Sequence, residues 1–503
     1  MSLKRQTLWS MAPLVVVSVL NIFSVPLFYH YLGAEMYALW FYVITFNGMF
    51  GFADLGLGVA VGRYVGMALG RGDHAAVRLY WGTGNLVAVP LLVLMGVVFV
   101  GLGVVFGPKW FNVSPDNVGL LRVCFIVGGI GLFLSYYGQF WNILLQAHLD
   151  FKFSSLLRVG VSVFGVLPSI IIAWATRNPA WIVAWGVFIG VIQLVFFAWY
   201  SRRHFNLGFE LGAASLVRLR EMASYTGKTF VTLVVGAFTV SIDRVVLGKL
   251  AAAADFTHYN MCANVGARLL GLGGAVMGPV FHNTSRTVDG GDKAKPAAIY
   301  NEMFDFTFGW YALAAIWVAV WHPVLMRVWL GGELGATVAP LITPLVIAFC
   351  LTAIASISGS QLGALNRLGT VLGFLVGTGV LTVAGVYVGW TTGGLVGVAY
   401  GFLASRIAYL AQDLYTIHLI KAGGWFSGRI WAGLVAQAFV GGAFSLVYLL
   451  LPRTSFWLLV PAAVHAGMVA TWLLRHPLSR FAGALGAWRE TRAVPAEKGL
   501  PGS

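Results

Sequence analysis

Leu55-Gly56-Leu57-Gly58-Val59-Ala60-Val61 returns as Leu270-Gly271-Leu272-Gly273-Gly274-Ala275-Val276, and both copies lie in long apolar segments with an ionisable residue just upstream, Asp54 and Arg268. Charge held in hydrocarbon costs roughly 2.5 to 3.5 kcal/mol per residue at a helix centre, so its presence in both halves requires a use. The pair reads as a duplicated membrane bundle with charge kept inside it. Transport of a charged substrate is the first function to which this points.

The composition leaves no soluble alternative. Of 503 residues, 59% are hydrophobic and 10% charged, and the mean hydropathy is +0.83. A soluble core cannot hide that much apolar surface. The apolar stretches run about 20 to 25 residues, enough to cross a ~30 Å hydrocarbon core as α-helices, and lack the alternation of barrel strands. Glycine, at 63 of 503 residues, stands well above the usual level of about 7%, as expected where helices approach closely. Gly58-x-x-x-Gly62 and Gly274-x-x-x-Gly278 fit that use. Cys124, Cys262 and Cys350 each fall within an apolar span without metal-ligand spacing and read as small buried hydrophobes. The apolar run after Lys4 and Arg5 is span-length and is followed by no small-residue cleavage site, so it reads as the first transmembrane helix.

The fold class is all-α integral membrane protein with about fourteen transmembrane helices. The spans fall near 8–30, 37–62, 80–106, 118–144, 156–175, 180–200, 223–248, 257–282, 303–327, 338–362, 370–390, 393–416, 428–451 and 456–474. The net charge of +15 raises the question of nucleic acid, and the placement of Lys and Arg answers it. With the N-terminal side taken as cytoplasmic, that face carries about 23 of them, while the opposite face has only Lys109, Arg177, Lys249, Arg327 and Arg453. This is the positive-inside pattern, with both termini cytoplasmic, and not a nucleic-acid footprint.

The repeat extends at a nearly steady offset: Gly72-Asp73 matches Gly291-Asp292, Trp110 matches Trp329 and Ala147 matches Ala364. About six helices separate the copies, so both halves enter from one side as parallel repeats about an axis along the membrane normal. The expected domains are an N-terminal six-helix lobe at 1–222, a C-terminal six-helix lobe at 223–420, two additional helices at 421–475 and a cytoplasmic tail at 476–503.

Polar residues recur at helical spacing on three spans. Helix 7 carries Tyr225, Lys228, Thr232, Gly236, Thr239 and Asp243; helix 8 carries Asn260, Asn264 and Arg268; helix 2 carries Trp40, Asn47 and Asp54. Asn and Thr here also suit ordinary interhelical bonding, whereas ionised groups in spans usually face water or a partner. Arg268 and Arg406 sit about ten residues, near 15 Å, from a span end and are the first candidates for an anionic ligand. A guanidinium stays charged and offers a planar fork to phosphate oxygens. Arg244, beside Asp243, has two readings, an outer relay or an internal ion pair. Asp54 likewise either binds a coupling cation or proton or neutralises Arg268. Arg63, Arg122, Asp305 and Asp413 lie near span ends, where snorkelling or interface placement is expected.

The chain resembles the polysaccharide-biosynthesis flippases of the multidrug, oligosaccharidyl-lipid and polysaccharide (MOP) exporter superfamily over roughly residues 5 to 475. The resemblance rests on Asp54-Leu55-Gly56-Leu57-Gly58 after Tyr31-Leu32-Gly33, the Gly70-Arg71-Gly72-Asp73 loop, and Ser241-Ile242-Asp243-Arg244 followed by Tyr259. It implies two lobes that alternate access and carry a polyprenyl-diphosphate-linked oligosaccharide from the inner to the outer leaflet of a bacterial inner (plasma) membrane. Arg268, Arg406, Arg244, Asn260, Asn264, Asn47 and Trp40 are then the substrate-side candidates, and Asp54 and Asp243 the coupling or ion-pair candidates. No cofactor is expected, since no Walker-type Gly-x-x-x-x-Gly-Lys occurs; Na⁺ and H⁺ coupling are both open. Expected partners are the lipid-linked sugar, membrane lipids and other polysaccharide-assembly proteins. The rival readings are a cation-coupled multidrug exporter of the same fold and, from another class, a membrane glycosyltransferase or polymerase. The outer loops are too short to favour the enzyme.

Overall fold

The computed structural model describes residues 3–51, 53–111, 113–148, 150–289, 295–423, 435, 437–441, 443 and 462–468, excepting the side chains of 3–15, 59, 151, 223–229, 232, 272–283, 285–289, 295 and 306. Among them regular structure is helical throughout, with no strand. The helices are α1 (Leu3–Met49), α2 (Leu57–Gly70), α3 (His74–Trp110), α4 (Val118–Ala147), α5 (Phe151–Thr176) and α6 (Pro179–Phe205), then α7 (Leu216–Leu250), α8 (Ala253–Asp289), α9 (Lys295–Leu330), α10 (Gly332–Ala364), α11 (Leu368–Ser405) and α12 (Ile407–Ile420). Eight helical stretches among the described residues are long and apolar enough to span a membrane. The chain is a multi-pass membrane protein.

The helices cover the first twelve expected spans once their breaks are counted. α1 holds two spans across Gly33, at φ 74°, and α11 holds two across Gly393 and Gly394, the latter at φ 57°. The pair of helices at 421–475 falls largely outside the described residues, although 437–441 and 462–468 are helical. The tail at 476–503 and Gly291-Asp292 lie outside them, as do the side chains of Tyr225, Lys228 and Thr232.

Local chemistry sets the helix ends. In Gly70-Arg71-Gly72-Asp73, Gly72 takes φ 72° and Asp73 caps α3 by accepting from the Ala76 amide at 2.9 Å. Asp150 caps α5 through the Phe153 amide at 3.2 Å, and Asn178 caps α6 through the Ala180 amide at 2.9 Å, with Pro179 as the first helical residue.

The span expected at 37–62 is not one helix. It stops at Met49 and resumes at Leu57, and Leu55 and Gly56 between them take φ 51° and 77°. The Asp54 carboxylate closes the turn, accepting from the Gly56 amide at 3.0 Å and the Gly58 amide at 3.2 Å. The second glycine run stays helical inside α8. Leu269 stands there in the register of Asp54, so the second copy has no carboxylate to satisfy the freed amides.

The described chain falls into two compact units. One comprises 1–272 and 367–409, the other 273–366 and 410–503. The core of the first is aromatic: Trp81 stacks on Phe140 and meets Trp141 edge-on, each at 5.0 Å between ring centres. Ile143 fills the groove left by Gly58 and Gly62, where a Cβ would lie 2.5 and 2.6 Å from it. In the second unit Trp321 donates to His465 Nδ1 at 3.0 Å and Trp317 to the Ala462 carbonyl at 3.2 Å. Apolar side chains point outward as well, among them Phe23, Val97 and Phe164, as a lipid-facing surface requires.

Candidate functional site

α7 is placed by close contacts along its length within the first unit. A Cβ at Gly48 would lie 2.9 Å from Ser241 Oγ, Trp110 donates to the Val245 carbonyl at 3.0 Å, and Thr239 donates to the Leu375 carbonyl at 3.4 Å. At its start Arg218 bonds Glu221 at 3.0 Å, and Tyr80 donates to the same carboxylate at 2.7 Å. The Tyr80 hydroxyl, and then Arg218, hold Glu221 below the usual carboxylate range.

This packing brings together the ionisable residues of α7, α8 and the α11–α12 junction. Asp243 is 1% exposed; Tyr259 donates to its Oδ2 at 2.8 Å, while its Oδ1 is buried without a hydrogen-bond partner among the described residues. Arg406 lies within electrostatic range of both Asp243 and Tyr259. Arg244 is half-buried, and its Nε finds no partner among the described residues. Arg268, also half-buried, lies within electrostatic range of Arg244. Two cations on adjoining helices within electrostatic range of each other, with no ion pair to either among the described residues, favour an anion near them.

Arg406 differs from the other two. It is 3% exposed and sits at the break between α11 and α12 rather than within one helix. Its Nη2 donates to Thr382 Oγ1 at 2.7 Å and Ser405 Oγ at 2.9 Å, and its Nε to the Phe402 carbonyl at 3.3 Å. The guanidinium also lies 4.2 Å from the Phe402 ring centre and 5.3 Å from that of Tyr409. In this structure it is enclosed by protein and engaged by residues of its own unit.

Asn260 and Asn264 lie on the same helix but bond within it, to the Phe256 carbonyl at 2.7 Å and the Asn260 carbonyl at 2.8 Å. Asn260 is fully buried, with Oδ1 unpartnered among the described residues. Trp40 packs among Phe28, Tyr37 and Phe41 at 4.7 to 5.8 Å, and Asn47 is half-buried on α1. Asp54 is taken up by its turn, and no contact among the described residues joins it to Arg268.

The sequence reading missed two features. Thr382 and Ser405 hold Arg406, a role that spacing along a helix cannot reveal because the partners come from both sides of the Gly393–Gly394 turn. Asp413, expected to snorkel or to lie at the interface, is 1% exposed in the second unit, where it accepts a hydrogen bond from Ser358; Tyr300 lies 3.1 Å from that serine.

The model of the polysaccharide biosynthesis protein family matches residues 3–283, more than half of the chain. The chain belongs to this family. Comparison of this family member with curated proteins returns no match. Its fold is similar to that of an inward-facing multidrug resistance MATE family transporter of the MOP superfamily, with TM-score 0.62 at 16% identity over 84% of this chain and 95% of that one. An outward-facing conformation of such a transporter aligns at TM-score 0.60 and 15% identity, over 83% and 96%. A MOP superfamily transporter from Pyrococcus furiosus, described as having a binding pocket of reverse polarity, aligns at TM-score 0.63 and 15% identity, over 83% and 95%. This member of the polysaccharide biosynthesis family therefore has the fold of a MOP-type transporter.

Proposed function

We propose that the protein flips a polyprenyl-diphosphate-linked oligosaccharide from the inner to the outer leaflet by alternating access of two lobes. It works as a carrier and not as an enzyme, in a bacterial inner membrane with both termini cytoplasmic and alongside other polysaccharide-assembly proteins. What supports this reading is that Arg244 and Arg268, on α7 and α8, lie within electrostatic range of each other without an ion pair among the described residues. The diphosphate binds there in place of water while its isoprenoid tail stays in lipid. Movement of negative charge outward is downhill by about 2.3 kcal/mol per charge per 100 mV, so no nucleotide is required. Arg406 has a positioning role: tied to Thr382 and Ser405, it sets the electrostatics around Asp243 and Tyr259.

Coupling by Na⁺ or H⁺ fits Asp243 better than Asp54. Both Asp54 oxygens are taken by amides, whereas Asp243 keeps one buried oxygen without a partner among the described residues. Such an oxygen costs about 1 to 3 kcal/mol or more unless a proton or cation meets it. The same carboxylate is what a cation-coupled multidrug exporter would use, and the two readings part at the arginines.

The test is reconstitution in liposomes with a fluorescent polyprenyl-diphosphate-linked oligosaccharide, scoring transfer between leaflets. Arg268→Ala and Arg244→Ala should abolish transfer with normal insertion, and Asp243→Asn should remove its dependence on the pH or Na⁺ gradient. Wild-type transfer by both arginine variants refutes the proposal. Efflux of organic cations at wild-type rate in the same variants favours the exporter.

A further inference from the structure

A separate cleft lies where α1 breaks at Gly33 and α5 turns into α6. It measures about 460 Å³ and is lined by His30, Tyr31, Leu32, Gly33, Trp174 and Arg177, a volume within the range of about 300 to 1,000 Å³ usual for small-ligand sites. All six belong to the first unit. The backbone shapes the cleft: Gly33 at φ 74° would have nothing within 4 Å of an added Cβ, and Arg177 at φ 50° ends α5 by donating its amide to the Ala173 carbonyl at 3.0 Å. The His30 ring meets Tyr31 edge-on at 5.1 Å.

Two properties indicate what the cleft takes. Arg177 is one of few basic residues on the face opposite the Lys- and Arg-rich one. It is exposed, and its guanidinium has no ion pair or hydrogen bond among the described residues. A fork of that kind, beside an imidazole donor, is suited to phosphate oxygens. The second property is an apolar lane leading to it: Phe164, Leu167, Ile171 and Trp174 follow at steps of three and four on α5 and are all exposed, from 48% to 65%. A free anion has no use for such a lane, which suits the chain of a lipid.

We propose that this cleft is an outer-leaflet site for the phosphate-bearing headgroup of an isoprenoid lipid, held by Arg177 and His30 with its chain along the α5 lane. The isoprenoid identity rests on the function proposed above; the anion site does not.

Binding is measured calorimetrically on the full chain in phosphatidylcholine nanodiscs, in an Arg268→Ala background that silences the α7–α8 pair. The probes are farnesyl diphosphate, inorganic diphosphate and farnesol. Farnesyl diphosphate should bind; Arg177→Ala should weaken it about tenfold or more, and Trp174→Ala should weaken it without affecting inorganic diphosphate. Unchanged affinity in Arg177→Ala overturns the site, as does farnesol binding as tightly as its diphosphate. Inorganic diphosphate matching farnesyl diphosphate, with Trp174→Ala silent, overturns the lipid assignment in favour of a free anion. Since no transport is measured, failure here leaves the flipping test standing, and the reverse.

Discussion

Replacing Gly401 by alanine forces apart two helical arms that touch backbone to backbone. The halves of α11 fold back on each other across Gly393–Gly394, and Gly385 faces Gly401 while Gly389 faces Gly397. A Cβ on Gly401 would lie 2.5 Å from the Gly385 carbonyl carbon and 3.1 Å from its Cα, with the carbonyl oxygen nearer still. Carbon atoms rest at about 3.5 Å, so the arms must part by roughly 1 Å, and no side chain can rotate to relieve it. Overpacking of this kind costs about 1 to 3 kcal/mol or more, against which alanine returns about 1 kcal/mol of helix propensity. The net loss should be on the order of 1 to 2 kcal/mol. Gly373 is the internal control: it lies on the same helix with nothing within 4 Å of its added Cβ, so Gly373→Ala should be neutral or slightly stabilising. In detergent melting curves of the full chain, Gly401→Ala should melt several degrees below both wild type and Gly373→Ala. A Gly401→Ala protein that melts with or above the control refutes the backbone-contact argument.

Asp54→Ala should lower stability by about 1 to 2 kcal/mol by uncapping the turn before α2; Asp54→Asn should fall between, and a melting series checks the order. Because the carboxylate closes a turn, Asp54→Asn should also retain transport, whereas a coupling role would make it inactive. His148, just beyond α4, stacks on Phe205 at 3.9 Å, and burial holds its pKa below the ordinary 6.5 despite the opposing Leu144 carbonyl and Asp150. The unfolded chain therefore binds more protons in acid, so the stability tied to neutral His148 is complete above about pH 6.5 and declines as pH falls below it. His148→Phe should keep the stacking and flatten that part of the melting profile between about pH 7 and pH 5; an unchanged profile counts against it.

Span positions were legible along the chain because hydropathy and helix capping act over a few residues. Twelve expected spans appear, and Gly70-Arg71-Gly72-Asp73 and Asn178-Pro179 begin helices through bonds to amides two or three residues away. That Thr239 and Asp243 belong to one helix, and Asn260, Asn264 and Arg268 to the next, was legible for the same reason. Packing decided the rest. Arg268 and Arg406 look alike in sequence, yet only Arg406 is enclosed, by Thr382 some 24 residues away across a turn. Asp54 and Asp243 are both intramembrane carboxylates, yet one closes a glycine turn and the other keeps an oxygen without a partner among the described residues. Asp413 lies near a span end and is nonetheless buried on a serine 55 residues distant. The amino-acid order determines where charge enters the membrane; which charge is free to meet a ligand depends on partners that only the packed helices bring within bonding distance.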